Sequence, residues 1–175
     1  MESGENIKKN SLFSASLTYG VLTAIALIMI SLMVYLFDLT GISWISYLTY
    51  IVLLAGIIIG TIKYRNDDLG GFISFGKALG FGTLVSVFAA FISGLFMYIF
   101  YQYLAPDAME QIRQATEEAV INANPNVTDQ ELDMILRFTS PLVMFISGLF
   151  FTTLIGVIFS LVTAAFIKKT DPEEV

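Results

Sequence analysis

Charged residues leave four long gaps in the chain. No Asp, Glu, Lys or Arg occurs at 10–37, 39–62, 78–106 or 138–167. Each gap exceeds the roughly 20 apolar residues that a helix needs to cross a hydrocarbon layer of ~30 Å. The pattern predicts four membrane-spanning helices, at 17–37, 42–62, 78–101 and 141–167. It predicts an all-α, polytopic membrane protein whose whole length, 1–175, forms one four-helix transmembrane domain. Only 38–41 separates the first two spans, which makes a tight hairpin ending on Gly41. The first apolar run is far longer than a signal-peptide core, and no small-x-small cleavage pattern precedes Asp38. It is expected to remain as the first span.

Composition sharpens this picture. The chain is 56% hydrophobic and 14% charged, against roughly 25% charged in ordinary soluble domains. Its mean hydropathy is +0.77. A soluble enzyme, a nucleic-acid binder and a disulfide-stapled secreted module are excluded. Cys and His are both absent, which removes thiolate chemistry, the commonest metal ligand and the commonest base near neutral pH. No cofactor, metal site or catalytic residue is expected.

Lys and Arg set orientation through their excess in cytoplasmic loops. Lys8 and Lys9 precede span one, Lys63, Arg65 and Lys77 lie between spans two and three, and Lys168 and Lys169 follow span four. Arg113 and Arg137 alone lie on the opposite side. Both termini are therefore expected in the cytoplasm and the segment 104–140 outside. Tyr35, Trp44, Tyr47, Tyr98, Tyr101 and Tyr103 fall near the outer ends of the spans, and Tyr19 and Tyr64 near the inner ones. These are the depths of interfacial aromatic belts.

Helices in lipid associate through close packing of small residues, because lipid tails are as apolar as Leu. The chain supplies such residues four apart, nearly on one helix face. Span two carries Gly56 and Gly60. Span three carries Gly82, Ser86, Ala90 and Gly94, and span four carries Gly148, Thr152, Gly156, Ser160 and Ala164. Each row is expected to be a groove for a neighbouring helix. The hexamer Phe-Ile-Ser-Gly-Leu-Phe occurs at 91–96 and again at 145–150, where antiparallel spans would place both copies at similar depth. A shared Gly94–Gly148 interface is the specific expectation. No ionisable side chain lies deep in any span, unlike the usual proton- or ion-coupled transporter. The span hydroxyls are expected to bond their own helix or a neighbour.

The outer segment holds seven carboxylates and two arginines between 105 and 139, most of the chain's net charge of −6. Pro106 and Asp107 signal a helix start. Met109, Ile112, Thr116 and Ala119 or Val120 then recur at helical spacing. Pro125 breaks the run, and Thr128 with Glu131 reads as a capping box opening a second short helix. Ser140 and Pro141 suit the cap and first residue of span four. An extracytoplasmic amphipathic helical hairpin between spans three and four is therefore expected. Glu117, Glu118 and Asp133 are its candidate partner-docking residues. No calcium-loop spacing is present, so neither metal binding nor acid–base chemistry is assigned to them.

The inner segment reads Asn66-Asp-Asp-Leu-Gly-Gly-Phe-Ile-Ser-Phe-Gly-Lys77. Gly70 and Gly71 suit a turn, and Ser74 suits the cap of span three. Lys77 and the backbone N–H groups beside it form a candidate anion contact, with Lys63, Arg65, Lys168 and Lys169 as further contacts for anionic headgroups. The Gly-Gly-Phe-Ile-Ser-Phe-Gly-Lys-Ala pattern, the acidic outer segment and the Ser-Pro opening of span four resemble DUF4199, a bacterial family of unknown function. The resemblance covers nearly the whole chain. It implies a multi-pass protein of the bacterial inner membrane, with no established activity and no catalytic residues to carry over. It further implies membrane glycosyltransferases acting on lipid-linked sugars as neighbours.

The expected function is a non-enzymatic accessory or scaffold subunit of a membrane complex. The alternative is a small oligomeric transporter, channel or lipid-handling protein, which a cavity between the spans would favour. The expected partners are the lipid bilayer, another membrane protein or a second copy of the chain, and no nucleic acid.

Overall fold

The computed structural model describes residues 10–37, 39 and 43–169. Six α-helices follow in the order α1 (Leu12–Leu36), α2 (Ser43–Lys63), α3 (Phe75–Ile99), α4 (Pro106–Ala123), α5 (Asp129–Arg137) and α6 (Pro141–Ile167). Two of them continue through single π-turns, α2 into Tyr64–Asp68 and α3 into Phe100–Leu104. Four helices are long and apolar enough to cross a membrane: α1, α2, α3 and α6. No strand occurs among the described residues, and α4 with α5 forms a hairpin between the third and fourth spans. Lys8, Lys9, Asp38 and Gly41 lie outside the described residues.

Local chemistry fixes where the helices begin. Ser11 accepts from the Ser14 N–H at 3.2 Å, so α1 starts at Leu12 rather than 17. Ser74 accepts from the Lys77 N–H at 3.4 Å, so α3 starts at Phe75 rather than 78. The hydrophobic pattern marks membrane depth, whereas a capping hydroxyl marks where helical geometry starts. Thr128 and Glu131 make the reciprocal capping box of α5. Ser140 caps α6, with Pro141 at its first position.

α3 is the hub, packing against α1, α2 and α6. Its Phe81 is fully buried at the centre of a core that includes Leu53, Ile57, Val85 and Ala164. Tyr64 stacks flat on Phe81 with centroids 4.7 Å apart, and Tyr19 meets the same ring at 6.1 Å. Tyr64 is thus a core residue and not an interfacial anchor. α6 leaves Leu142, Ile146, Phe150 and Leu154 exposed, as a helix with one side to lipid does.

One end of the bundle is tied by the connection between α2 and α3. Gly70 and Gly71 take positive φ, +67° and +93°, a region that favours glycine. The turn they make brings Ile73 beside Lys169, and their backbones exchange two hydrogen bonds of 3.0 and 2.9 Å. The Arg65 guanidinium donates to the Ile167 carbonyl at 3.2 Å. The Asn10 N–H donates to the Asp68 carboxylate at 2.8 Å. The entry of α1, the exit of α6 and this connection are therefore held together.

Candidate functional site

The small residues divide into two groups. In the first, each removes a side chain where another helix passes. A Cβ at Gly156 would collide with Ser86, and one at Gly82 would lie 2.5 Å from the Ser160 hydroxyl. α3 and α6 thus interlock reciprocally, glycine against serine, twice. Gly56 faces Thr23, and Gly60 faces Tyr19 and Phe81 at 3.0 to 3.2 Å. Gly20 on α1, absent from the sequence-derived rows, does the same against Phe88 at 2.5 Å. Ala90 and Ala164 are also buried.

The second group departs from expectation. A Cβ at Gly94 would lie 3.0 Å from Phe145, whereas one at Gly148 would meet nothing within 4 Å. Gly148 is exposed and Thr152 half-buried, so the shared Gly94–Gly148 interface does not form. The reason is helical drift. Steps of four residues overshoot a 3.6-residue turn by about 40° each, so Gly148 lies about 120° round α6 from Ser160. The repeated hexamers still touch, through Phe145 against Phe91 at 6.1 Å.

Beside the Phe91–Phe145 contact the packing leaves space. A cavity of about 240 Å³ lies between the spans, with Ala90 and Gly94 on α3 and Phe145, Gly148 and Thr152 on α6 among its walls. Two further hollows adjoin it at the hairpin end. One, of about 410 Å³, lies between α4 and α5 and is lined by Glu110, Arg113, Asp133 and Arg137. The other, of about 540 Å³, lies between α1 and α4. Tyr101, on the π-turn after α3, lines all three. The hairpin stands over them because Ala105, Ala108 and Met109 are buried, with Phe100, Ala105 and Ala108 forming a small cluster against Leu32, Phe96 and Met97.

Several hydroxyls within the spans are committed to backbone. Those of Thr23, Ser31, Ser93, Ser147 and Ser160 donate to the carbonyl four residues earlier at 2.7 to 3.0 Å. Ser86 donates to the Thr83 carbonyl at 2.7 Å. The Thr163 hydroxyl is buried without a partner among the described residues.

The candidate headgroup cations do not act alike. Lys63, Lys77 and Lys168 are exposed. Arg65 is engaged by the Ile167 carbonyl and by Asn66, and the Lys169 ammonium lies 5.2 Å over the Phe72 ring. The Lys77 N–H is spent on Ser74. On the hairpin, Glu117 is half-buried and Glu118 exposed. Asp133 pairs with Arg137 at 3.0 Å, an ion pair that neither glutamate shares. Among the described residues, no three His, Cys, Asp or Glu gather in a metal-binding arrangement.

Residues 18–169 match the family model described as "Protein of unknown function (DUF4199)". The chain belongs to the DUF4199 family. No curated protein and no solved structure matches it. In this DUF4199 chain the features that sequence reasoning missed are Tyr101 as the meeting point of the cavities, and Arg113 with Glu110 in the hollow between α4 and α5. The signal for the last two was present, since they sit three residues apart on one face of α4. The sequence marked Tyr101 only as an interfacial aromatic, because its place on the cavity walls depends on the π-turn.

Proposed function

We propose that this protein is a non-catalytic accessory subunit of the bacterial inner membrane, with both termini in the cytoplasm and the α4–α5 hairpin outside. The observation that carries the reading is α5. It is amphipathic and capped at both ends, yet it buries none of its residues. Met134 and Phe138 are 57% and 67% exposed, beside the carboxylates of Asp129 and Asp133. An apolar face of this kind, rimmed by charge, suits a second membrane protein. A membrane glycosyltransferase acting on lipid-linked sugars is the partner class that the family resemblance implies.

Support for a non-catalytic role comes from the span interior, where the polar groups are hydroxyls, most of them already bonded to backbone. The same feature gives a polar transport pathway little to work with. The test is affinity purification of the full chain from native membranes. A stoichiometric partner is expected, and replacing Glu117, Glu118 and Asp133 by Gln and Asn should release it without impairing insertion. A partner retained unchanged by that triple substitution removes the docking role of these residues. A chain that purifies alone from native membranes removes the subunit reading.

A further inference from the structure

The three hollows around Tyr101 call for an occupant of mixed chemistry. Along α3 the inter-span cavity reaches from Ala90 to Tyr101, and along α6 from Pro141 to Thr152. Eleven residues of helix rise about 16 Å, half of a ~30 Å hydrocarbon layer. The cavity therefore has the depth of one leaflet. Its walls are mostly apolar, with Leu27, Met97, Met144 and Phe145 among them. The hydroxyls of Ser31 and Ser93 on its walls are turned to their own backbone. The other polar groups on its walls, the hydroxyls of Thr49, Thr152, Tyr98 and Tyr101, are few beside its apolar lining. An apolar cavity of ~150 Å³ already takes benzene, and this one holds about 240 Å³.

The groove above has the opposite character. It shares Tyr101 and Pro141 with the cavity, so the two adjoin at the level of the α6 N-terminus. Its rim carries Arg113 and Arg137, with Glu110 and Asp133 in equal number. Arg137 is held by Asp133 at 3.0 Å. Arg113 makes no ion pair among the described residues, which leaves a planar fork of donors suited to phosphate. The balance of charge is zero, set within a hairpin that is otherwise acidic. Such a rim favours a group bearing both a phosphate and an ammonium over a purely anionic one.

We infer that this crevice binds one zwitterionic phospholipid from the leaflet on the hairpin side. Part of one acyl chain occupies the inter-span cavity, the phosphate meets Arg113, and the ammonium meets Glu110, since Asp133 is held by Arg137. Tyr101 sits at the glycerol level, where an aromatic ring with a polar tip belongs. This binding goes beyond the accessory role and does not depend on it.

Native mass spectrometry of the purified chain tests the assignment, after delipidation in detergent and exposure to equal phosphatidylethanolamine and phosphatidylglycerol. The wild-type chain should retain one phosphatidylethanolamine. Gly148→Leu should reduce retention to background without lowering the melting temperature, because its side chain enters open space in the cavity. Thr152→Leu, on the same wall, carries this arm should Gly148→Leu fail to fold. Arg113→Gln should weaken retention of both lipids, and Glu110→Gln should shift the preference towards phosphatidylglycerol. Leu154→Ala, on the exposed face of α6, should change nothing. Equal retention of the two lipids by the wild-type chain, or full retention by a folded cavity-filling variant, would overturn the assignment in favour of annular lipid.

Discussion

Ser86 on α3 occupies the space that a side chain at Gly156 on α6 would need. Four residues along each helix the roles exchange, with Gly82 facing Ser160. In lipid no hydrophobic gain compensates a lost helix contact, so this double lock is where small changes should be felt most.

Gly156→Ala should therefore destabilise the bundle, by about 1–3 kcal/mol as for other overpacked sites. Ser86→Gly should restore part of that loss in the double variant, because residues in contact couple non-additively. Gly148→Ala should have the opposite sign. With nothing within 4 Å of its Cβ, removing a mid-helix glycine gains about 0.5–1 kcal/mol. Thermal melting of the four variants in one detergent decides it. Equal shifts for Gly156→Ala and Gly148→Ala would mean that α6 packs elsewhere.

The contrast between these two glycines shows what was legible in the sequence. Helix starts such as Ser74, Thr128 and Ser140 could be read, because a cap is made within four residues of chain. Charge-free gaps gave the spans for the same local reason. A row of small residues spaced by four says that close packing occurs, but not over what length. Helical drift carries Gly148 off the face that Gly156 and Ser160 share, and Gly148 instead lines the cavity. Glu110 and Arg113 were visible as a pair, yet their relation to Tyr101 required the π-turn at Phe100–Leu104 and the burial of Ala108 on the bundle-facing side of α4.

The bundle's two ends also differ in charge. Lys63, Arg65, Lys77, Lys168 and Lys169 lie at the end of the α2–α3 connection, and Arg113 and Arg137 at the hairpin end. The positive-inside tendency then assigns a side to two exposed asparagines. Asn124→Cys should react with an impermeant maleimide in intact spheroplasts, and Asn66→Cys only after lysis. The chain has no native Cys, so the background is clean. The reverse labelling would invert the topology.

Arg65 links the α2–α3 connection to the exit of α6 by one hydrogen bond to the Ile167 carbonyl. A charged donor contributes about 1.5–3 kcal/mol when well buried. Arg65 is only half-buried, and solvent screening brings the expected loss in Arg65→Met to about 1 kcal/mol. The loss should be local. Hydrogen exchange at the Ile73 and Lys169 amides, which bond each other's carbonyls, should accelerate while α1 amides stay protected. Uniform acceleration would mean that the connection does not act as a separate clamp.

The capping box of α5 makes stability at the hairpin depend on pH. The Glu131 carboxylate accepts from the Thr128 N–H at 3.0 Å and from its hydroxyl at 2.9 Å. The backbone bond first, and the hydroxyl second, hold the carboxyl below the usual carboxylate range. A group whose folded value is depressed stabilises the folded form fully above its unfolded value, and that contribution is lost as pH falls through the folded value. α5 should therefore be best protected at neutral pH and fray progressively in acid. Thr128→Ala, which removes the cap, should cost about 0.5–2 kcal/mol of local stability at neutral pH. Glu131→Gln keeps a carbonyl acceptor but no titratable group, so its α5 amides should show little further opening across the acid range. Exchange rates of the Leu132 and Asp133 amides, followed from neutral pH into acid and corrected for intrinsic chemistry, give the comparison. Identical pH profiles for wild type and Glu131→Gln would show that other hairpin carboxylates govern the fraying and that the box contributes nothing to it.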